Sequence, residues 1–507
     1  MSKRLLFYLF ALAVLLRFLF LSSQSVFFYF DQARDAIVSR NIIEKKDFKI
    51  QGPSVSGTSD SVYHGVIYYY LIAPLYTLSN GNPIFVAHFL AIIGALTVFV
   101  IYVLGKEIFS SKKVGLLAAL FLTFSSASTQ QHTWLSNPQL SSLILSLVYL
   151  YIWRIFFSTK TKLLIDYVVF AILLSLSVQV ALQSVVVLGS VLLASLYKML
   201  KNKTWKIFSL KIFLIIIGVF SIGISSMLLT EFLMWSRGIL NFSSLNLADH
   251  QIGFFSAINQ IALKYFEITK YYLAAEENWL FLFICFMIIG LGIKKISKRT
   301  LLWACLFLFA PLWLLLWHYR DPNHTFIGVE LVIYLLLAKG FLELSKLSLW
   351  SKIITYVFVF IFIILQLSSL HKAHINRTTI YGIQKGAFLS EQLALIKQTY
   401  LIADGECFSF SSLTSPYMIN TTWSYLYNCF GNELGQRPFF IGMSQVGYPG
   451  EGLLPEAVVA ENLHFSIIEP DTTLSVAQIN DFLTQQTYLA GPVIKEWDFG
   501  TLKLQLR

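Results

Sequence analysis

Charged residues are scarce in this chain of 507 residues: Asp, Glu, Lys and Arg together make up 13% of it. A soluble domain carries about 25% charged residues, so the composition excludes an ordinary soluble protein. The mean hydropathy of +0.67 predicts instead a polytopic α-helical membrane protein. The net charge of +11 does not indicate nucleic-acid binding, because the basic residues lie in short clusters between apolar runs and form no stripe.

Several catalytic signatures are also absent from the sequence. It has no glycine-rich phosphate loop between a strand and a helix, no H-E-x-x-H motif, no Cys/His cluster with zinc spacing and no G-x-S-x-G sequence. A nucleotide-sugar site of the Rossmann type is therefore unsupported. The four cysteines do not predict a disulfide framework. Cys407 and Cys429 both lie in the polar C-terminal region, and whether they are bridged stays open.

About eleven apolar runs are long enough to cross a bilayer as helices, which takes about 20 residues. The run from 164 to 199 is too long for one span, and we divide it near Gln179 and Gln183, whose amides suit an interface. The first run lacks a small-residue cleavage site and is interpreted as a retained helix. The candidate spans are 5–22, 84–105, 113–129, 138–157, 164–180, 183–199, 207–231, 278–293, 300–317, 325–342 and 352–370.

Basic residues predict the orientation of these spans. With the N-terminus in the cytoplasm, every short basic loop falls on the cytoplasmic side, as the positive-inside rule requires. The chain is then a multi-pass protein, of a bacterial plasma membrane, with an external C-terminus. The loops concerned contain Lys106, Lys112 and Lys113; Arg154, Lys160 and Lys162; Lys198, Lys201, Lys203 and Lys206; Lys294, Lys295, Lys298 and Arg299; and Lys346 and Lys352.

The predicted domain organisation is a membrane part, residues 1–370, and an external soluble α/β domain, residues 371–507. The tail is less apolar, and it contains the helical pattern "LSEQLALIKQTYLI" and the strand patterns "HFSIIEP" and "TLKLQLR". Two long external loops are expected at 23–83 and 232–277. The first contains "GVIYYYLIAPLYTL", an apolar run too short to span and therefore interfacial or re-entrant.

An acidic cluster follows the first predicted span in the sequence "YFDQARDAIVSR". If this segment is helical, Asp31, Arg34 and Asp35 share one face, because residues three and four apart are neighbours on a helix. Two simpler interpretations compete: Asp31 as a helix N-cap, or the whole cluster as a solvated face.

Further polar and ionisable groups are expected at the same membrane face. Such groups are costly near membrane depth and usually mark function, so their concentration on one side predicts a site. They are His64, His132, Trp134, Asn137, Glu231, Trp235, Arg237, His318, Tyr319, Arg320, Asp321 and His324.

Three features in order resemble the polytopic GT-C glycosyltransferases. They are the acidic motif that opens the first external loop, the segment "YHGVIYYYLIAPLY", and the later "RDPNHTFIGVELVIYLLLAKG". The chain is most similar to the bacterial mannosyltransferase-like branch, whose relatives include protein O-mannosyltransferases and the lipid A aminoarabinose transferase. The resemblance covers roughly residues 1–370. It implies a GT-C-like fold and transfer of a sugar from a polyprenyl-phosphate lipid to a glycan, lipid or protein acceptor at the external face.

The resemblance also implies residue roles. Asp31 corresponds to the general base, with Asp35 as a second catalytic carboxylate and Arg34 as an orienting or sugar-binding group. His64, Arg320 and His324 are implied near the donor phosphate. The chain departs from the family pattern where Gly65 and Val66 precede "IYYY" and where Asn137 replaces a carboxylate found in several relatives.

The chemistry of the transfer supports a similar assignment. The attacking hydroxyl must lose a proton, which a carboxylate such as Asp31 can accept. The departing phosphate gains negative charge, which Arg or protonated His stabilises, and an in-line displacement inverts the anomeric centre. Arg237, Arg320 and His324 are candidate phosphate ligands, and Glu231 joins Arg237 at the end of the seventh span as a substrate-binding candidate.

Two alternatives stay open at this point. A divalent cation bound by Asp31, Asp35 and His64 has enough ligands, although Arg34 among them argues against it. The rival function is a lipid-linked oligosaccharide flippase or another polytopic transporter, for which the sequence shows neither repeated halves nor many ionisable residues within the spans.

Overall fold

The computed structural model is mostly helical. It describes residues 2–22, 26–54, 62–203, 208–236, 254–274, 278–312, 323–376, 378–380, 388–470 and 474–507. The first ten helices are α1 Ser2–Phe20, α2 Phe30–Glu44, α3 Ile67–Leu78, α4 Pro83–Ala95, α5 Thr97–Ile108, α6 Lys112–Phe124, α7 Ser126–His132, α8 Ser141–Ile152, α9 Leu164–Val180 and α10 Val186–Asn202. The helices that follow are α11 Leu210–Gly223, α12 Ser225–Ser236, α13 Phe254–Ala274, α14 Trp279–Ile293, α15 Lys298–Leu308, α16 Val329–Leu344, α17 Leu349–Ile375, α18 Leu389–Ala403, α19 Thr421–Phe430 and α20 Val476–Ala490.

A five-stranded mixed sheet distinguishes the C-terminal region. Its strands are β1 Ser409–Leu413, β2 Phe439–Phe440, β3 His464–Ile468, β4 Lys495–Phe499 and β5 Leu502–Leu506, in the order β2-β1-β3-β5-β4. β1 is parallel to β2 and β3, whereas β3, β5 and β4 are antiparallel neighbours. The predicted small α/β region is confirmed, including its helix α18 and the two strands read from the sequence.

Helix length gives a lower count of spans than the apolar runs do. Among the described residues, four helical segments are long and apolar enough to cross a membrane, or up to six if two bent helix pairs each count as one span. The count of about eleven therefore stays a prediction. The four segments are Pro83–Ile108, Asn137–Phe157, Leu182–Asn202 and Leu349–Ile375.

Two breaks interrupt the apolar runs. The predicted division near Gln179 is confirmed, because α9 ends at Val180 and a short 3-10 turn, Leu182–Val185, leads into α10. The run 207–231, expected as one span, instead bends by 65° between α11 and α12. At this bend the Gln179 Nε2 donates to the Gly223 carbonyl oxygen at 2.7 Å, so a side chain of α9 satisfies a backbone group at the bend. The segment 232–277, expected as an external loop, contains the helix α13.

One hydrophobic core joins the first external segment to the tail. Buried side chains of α2, α3 and α4 pack in the same cluster as those of α18, α19, β1 and β3. Phe28, which precedes α2, lies with its ring centroid 5.4 Å from that of Tyr425 on α19. The boundary predicted at residue 370 therefore does not coincide with a boundary between separate cores.

Close helix packing in the membrane part depends on glycine. A Cβ at Gly292 of α14 would lie 2.8 Å from the backbone nitrogen of Gly340 on α16, whereas a Cβ at Gly290 would meet no atom within 4 Å. Small residues let helix backbones approach in this way, and van der Waals packing then holds the helices together.

We expect Gly292→Ala to lower the midpoint of thermal unfolding in detergent, because the new methyl group pushes α14 away from α16. Gly290→Ala is the matched control on the same helix, and it should leave the midpoint unchanged or raise it slightly, since Ala favours helix over Gly. Equal midpoints for the two variants would contradict the proposed packing.

Candidate functional site

The acidic cluster lies in the first two turns of α2. Tyr29 precedes the helix, and its backbone N–H donates to the Gln32 side-chain oxygen at 3.4 Å. Because α2 begins at Phe30, Asp31 is inside the first turn rather than at the N-cap, and that interpretation is wrong. A carboxylate in the first turn is favoured by the partial positive charge of the helix N-terminus.

Arg34 joins the two carboxylates. Its Nη1 lies 2.7 Å from Asp31 Oδ1, and its Nε and Nη2 lie 2.9 Å and 2.8 Å from Asp35 Oδ1. The exposed fraction of the side chain falls from 42% at Asp31 to 13% at Arg34 and 3% at Asp35. The predicted shared face is confirmed, and the three groups form a gradient from a half-exposed carboxylate to a buried one.

Asp35 is the buried counter-ion of the cluster. Burial raises the pKa of its carboxyl to about 6, an effect that Arg34 opposes and the charge of Asp31 reinforces. Its carboxyl oxygen lies within hydrogen-bond distance of two Arg34 nitrogens and fixes the guanidinium. Asp31 remains the carboxylate that a substrate can reach.

Tyrosines of α3 complete the buried side of the cluster. Tyr68 and Tyr69 are buried, and both interact electrostatically with Asp35 and Arg34. The short apolar run that contains them was expected to be interfacial or re-entrant, but these two tyrosines pack inside the protein. The spacing of Tyr68, Ile72 and Tyr76, four residues apart, was the available signal for a buried helix face. Tyr70 is the exposed member, and its hydroxyl donates to the Lys49 carbonyl oxygen at 2.9 Å.

His64 lies just before α3 and is 6% exposed. Its Nδ1 accepts a hydrogen bond from the backbone N–H of Leu182 at 3.0 Å, at the turn that separates α9 from α10. Asn137, from the second predicted external loop, donates to the Val180 carbonyl oxygen at 2.6 Å. These two side chains satisfy backbone groups that the helix break exposes, which is a structural role. A phosphate-binding role for His64 stays a prediction.

The other predicted ligands are described only in part. Glu231 lies on α12 and is partly buried. His324 belongs to a short 3-10 helix, Asn323–Phe326, and its side chain lies outside the described part of the structure. Arg237 and Arg320 lie outside the described residues, so their predicted roles stay predictions.

A second buried cation was missed in the sequence. Arg17 of α1 is 0% exposed, and its Nε and Nη2 lie 3.0 Å and 2.9 Å from His132 Nδ1. Its Nη1 donates to the Ala13 carbonyl oxygen at 2.8 Å. An Arg within an apolar run was the available signal, since an intramembrane charge must find a partner. The pair joins α1 to α7, so His132 has a partner in the membrane part of the protein.

The described residues contain no group of three or more His, Cys, Asp or Glu side chains arranged to hold a metal ion. At the acidic cluster, the Arg34 guanidinium occupies the position between the carboxylates that a cation would take. All four cysteines are described and are free thiols. Cys429 accepts from Arg40 Nη1 at 3.1 Å, and Cys407 donates to Gln436 Oε1 at 3.2 Å.

Comparison with solved structures shows the fold. The chain is similar to ArnT from Cupriavidus metallidurans bound to undecaprenyl phosphate, with a TM-score of 0.58, 10% identity, and coverage of 98% of this chain and 97% of ArnT. The apo form of the same protein gives a TM-score of 0.51 at the same identity and coverage. No family model and no curated protein matches the sequence.

The chain therefore has the same overall fold as ArnT. With its apolar helices, the chain is an integral membrane protein. Assignment to the mannosyltransferase-like branch stays a prediction.

We expect Arg34→Leu to destabilise the protein by about 3–5 kcal/mol at pH 8, because it leaves the Asp35 carboxylate buried without a cation. Because Arg34 lowers the pKa of Asp35, its removal should move that pKa above the native value of about 6. The loss should therefore shrink as the pH falls from 8 toward 6, where Asp35 becomes protonated and the uncompensated charge disappears. Thermal unfolding in detergent from pH 5 to pH 8 measures both effects. The double variant Arg34→Leu/Asp35→Asn should lack the pH dependence. A loss independent of pH in the single variant would contradict the buried ion pair.

Proposed function

We propose that this protein transfers a sugar from a polyprenyl-phosphate lipid to an acceptor hydroxyl at the external face of the membrane. The single observation that carries the proposal is the half-exposed Asp31, held by Arg34 over the buried Asp35. The ArnT fold supports the class of donor, since one solved structure of ArnT is bound to undecaprenyl phosphate. The sugar is not assigned, and the acceptor belongs to the broad class of glycans, lipids and proteins.

Asp31 is the general base in this proposal. It accepts the proton from the acceptor hydroxyl as the oxygen bonds to the anomeric carbon, and the bond from that carbon to the phosphate oxygen breaks. The electron pair leaves with the polyprenyl phosphate, and the in-line displacement inverts the anomeric centre. A carboxylate on a fixed helix can meet the hydroxyl at hydrogen-bond distance without a large rearrangement.

Arg34 and Asp35 hold the general base Asp31 in place. Asp35 is too buried to contact a substrate, so we revise its expected catalytic role to that of a positioning residue that holds Arg34. Arg34 directs one nitrogen to Asp31 and presents a partly exposed cation to the same space, where an anionic phosphate or a sugar hydroxyl would bind. We keep His64, Glu231, Arg237, Arg320 and His324 as proposed substrate-binding residues.

The external location of this site is part of the proposal. It rests on the basic loops, which place the N-terminus in the cytoplasm and the loop of Asp31 outside. The C-terminal α/β region, which shares a core with that loop, is then external as well.

Transport is the rival function, and the broken helices are the observation that favours it, because transporters bind substrates where helices are interrupted. In this chain, however, side chains of the protein bond the backbone groups at the break between α9 and α10. These interactions leave fewer backbone groups for a transported substrate, so transfer is better supported than transport.

Purified protein in nanodiscs, tested with polyprenyl-phosphate sugars and with mass spectrometry of co-purifying lipids, measures the proposed reaction. We expect Asp31→Asn to lower kcat by about 10²–10⁴-fold, the usual contribution of a general base, while donor binding persists. Asp47→Asn is the matched control, because Asp47 lies in the same external segment with 45% of its side chain exposed and pairs only with Lys49 among the described residues.

Full activity of Asp31→Asn would contradict the assignment of the base. Movement of the sugar lipid across vesicles by the wild-type protein, with no transfer product, would favour the transporter instead.

A further inference from the structure

We infer that the C-terminal region positions the catalytic helix α2, with Tyr425 and Gln392 as its positioning residues. This inference rests on the proposed function, because it treats α2 as the carrier of the general base. It goes beyond that function by making the tail a component of the site.

The tail holds the chain where it enters α2. The Leu389 N–H donates to the Val26 carbonyl oxygen at 2.9 Å, and Phe27 forms an antiparallel bridge with Phe388. The buried Gln392 side chain of α18 donates from Nε2 to the Phe28 carbonyl oxygen at 2.6 Å. Phe28 lies three residues before Asp31, so these bonds determine where the helix starts.

The tail also holds the far end of α2, through the turn between α3 and α4. Tyr425 of α19, 1% exposed, donates its hydroxyl hydrogen to the Gly81 carbonyl oxygen. Gly81 has φ +87°, and a Cβ there would lie 2.8 Å from Arg40 Nη1 and 2.9 Å from Cys429 Sγ. Arg40 is on α2. The glycine turn is therefore packed between the catalytic helix and α19, and Tyr425 holds it there.

Between these ends, the flank of α2 contacts the tail directly. A Cβ at Gly450 would lie 3.7 Å from Ile37 Cδ1 and 3.5 Å from the Thr421 Cα. Arg40 Nη1 donates to Cys429 Sγ at 3.1 Å. Because α2 has side-chain or backbone contacts with the tail before, along and after the Asp31–Arg34–Asp35 cluster, movement of α19 moves the cluster.

Loss of these bonds is expected to impair transfer more than donor binding. A general base needs a defined distance to the hydroxyl, and a displacement of about 1 Å can cost about 10²-fold in rate. Removal of one buried hydrogen bond loosens the helix by about 1 kcal/mol, which corresponds to roughly fivefold in a rate constant.

The test uses the full-length protein in nanodiscs and the variants Tyr425→Phe and Gln392→Leu. Tyr425→Phe removes only the hydroxyl and keeps the ring against Phe28. Tyr488→Phe is the matched control, because Tyr488 belongs to the same tail and is 96% exposed. We expect faster amide exchange in residues 30–44, unchanged exchange in β4 and β5, and a kcat at least about fivefold lower with an unchanged KM for the donor.

The pH profile provides a further readout that a merely structural role would not move. Asp35 holds Arg34 as a carboxylate, so its protonation should lower kcat on the acidic side. A loosened α2 lets water reach Asp35 and weakens the burial that raises its pKa, so this acidic limb should shift to lower pH in Tyr425→Phe and stay in place in Tyr488→Phe. Unchanged amide exchange of α2 in both tail variants would overturn the inference, and so would faster exchange with an unaltered kcat.

A failure of the proposed function can be distinguished from a failure of the positioning inference. If the wild-type protein transfers no sugar, the proposed function is rejected, and the amide exchange of α2 still decides whether the tail positions that helix.

Discussion

The bonds of one guanidinium to two carboxylates are the interaction on which the site depends. Arg34 is the common partner of Asp31 and Asp35, and each carboxylate alone would be either solvated or buried at a large cost. In the cluster, Arg34 neutralises the charge of the buried Asp35 and also holds Asp31, whose carboxylate stays half-exposed on the open side of α2. The tyrosines of α3 and the packing of α19 against α2 matter because they keep this arrangement on one rigid helix.

Backbone breaks are the second constraint on the membrane part. An interrupted helix in an apolar environment exposes N–H and carbonyl groups that need partners. The chain supplies these partners from distant segments: His64 and Asn137 at the end of α9, and Gln179 at the bend before α12. The same residue types that suggested ligands in the sequence therefore also serve as structural hydrogen-bond partners, and position in sequence alone does not separate the two roles.

Local patterns predicted much of the architecture. Apolar runs indicated the helices, the amides at Gln179 and Gln183 marked a real break, and alternation in "HFSIIEP" and "TLKLQLR" identified two strands. Helical spacing correctly placed Asp31, Arg34 and Asp35 on one face. The burial of Asp35, the Arg17–His132 pair and the shared core of α2 and the tail were not predictable, because each depends on contacts between residues more than 30 positions apart, and no periodicity within a single segment reports such contacts.

The central claim is that the Asp31 carboxylate faces the reacting sugar. Determining the structure of the protein in nanodiscs with a bound polyprenyl-phosphate sugar tests it most directly. We expect the phosphate to lie on the α2 side of the site. The Asp31 carboxylate should face the anomeric carbon across a space in which an acceptor hydroxyl oxygen can lie about 2.6–3.2 Å from the carboxylate. A sugar bound at a distance from α2, with Asp31 open only to solvent, would contradict it.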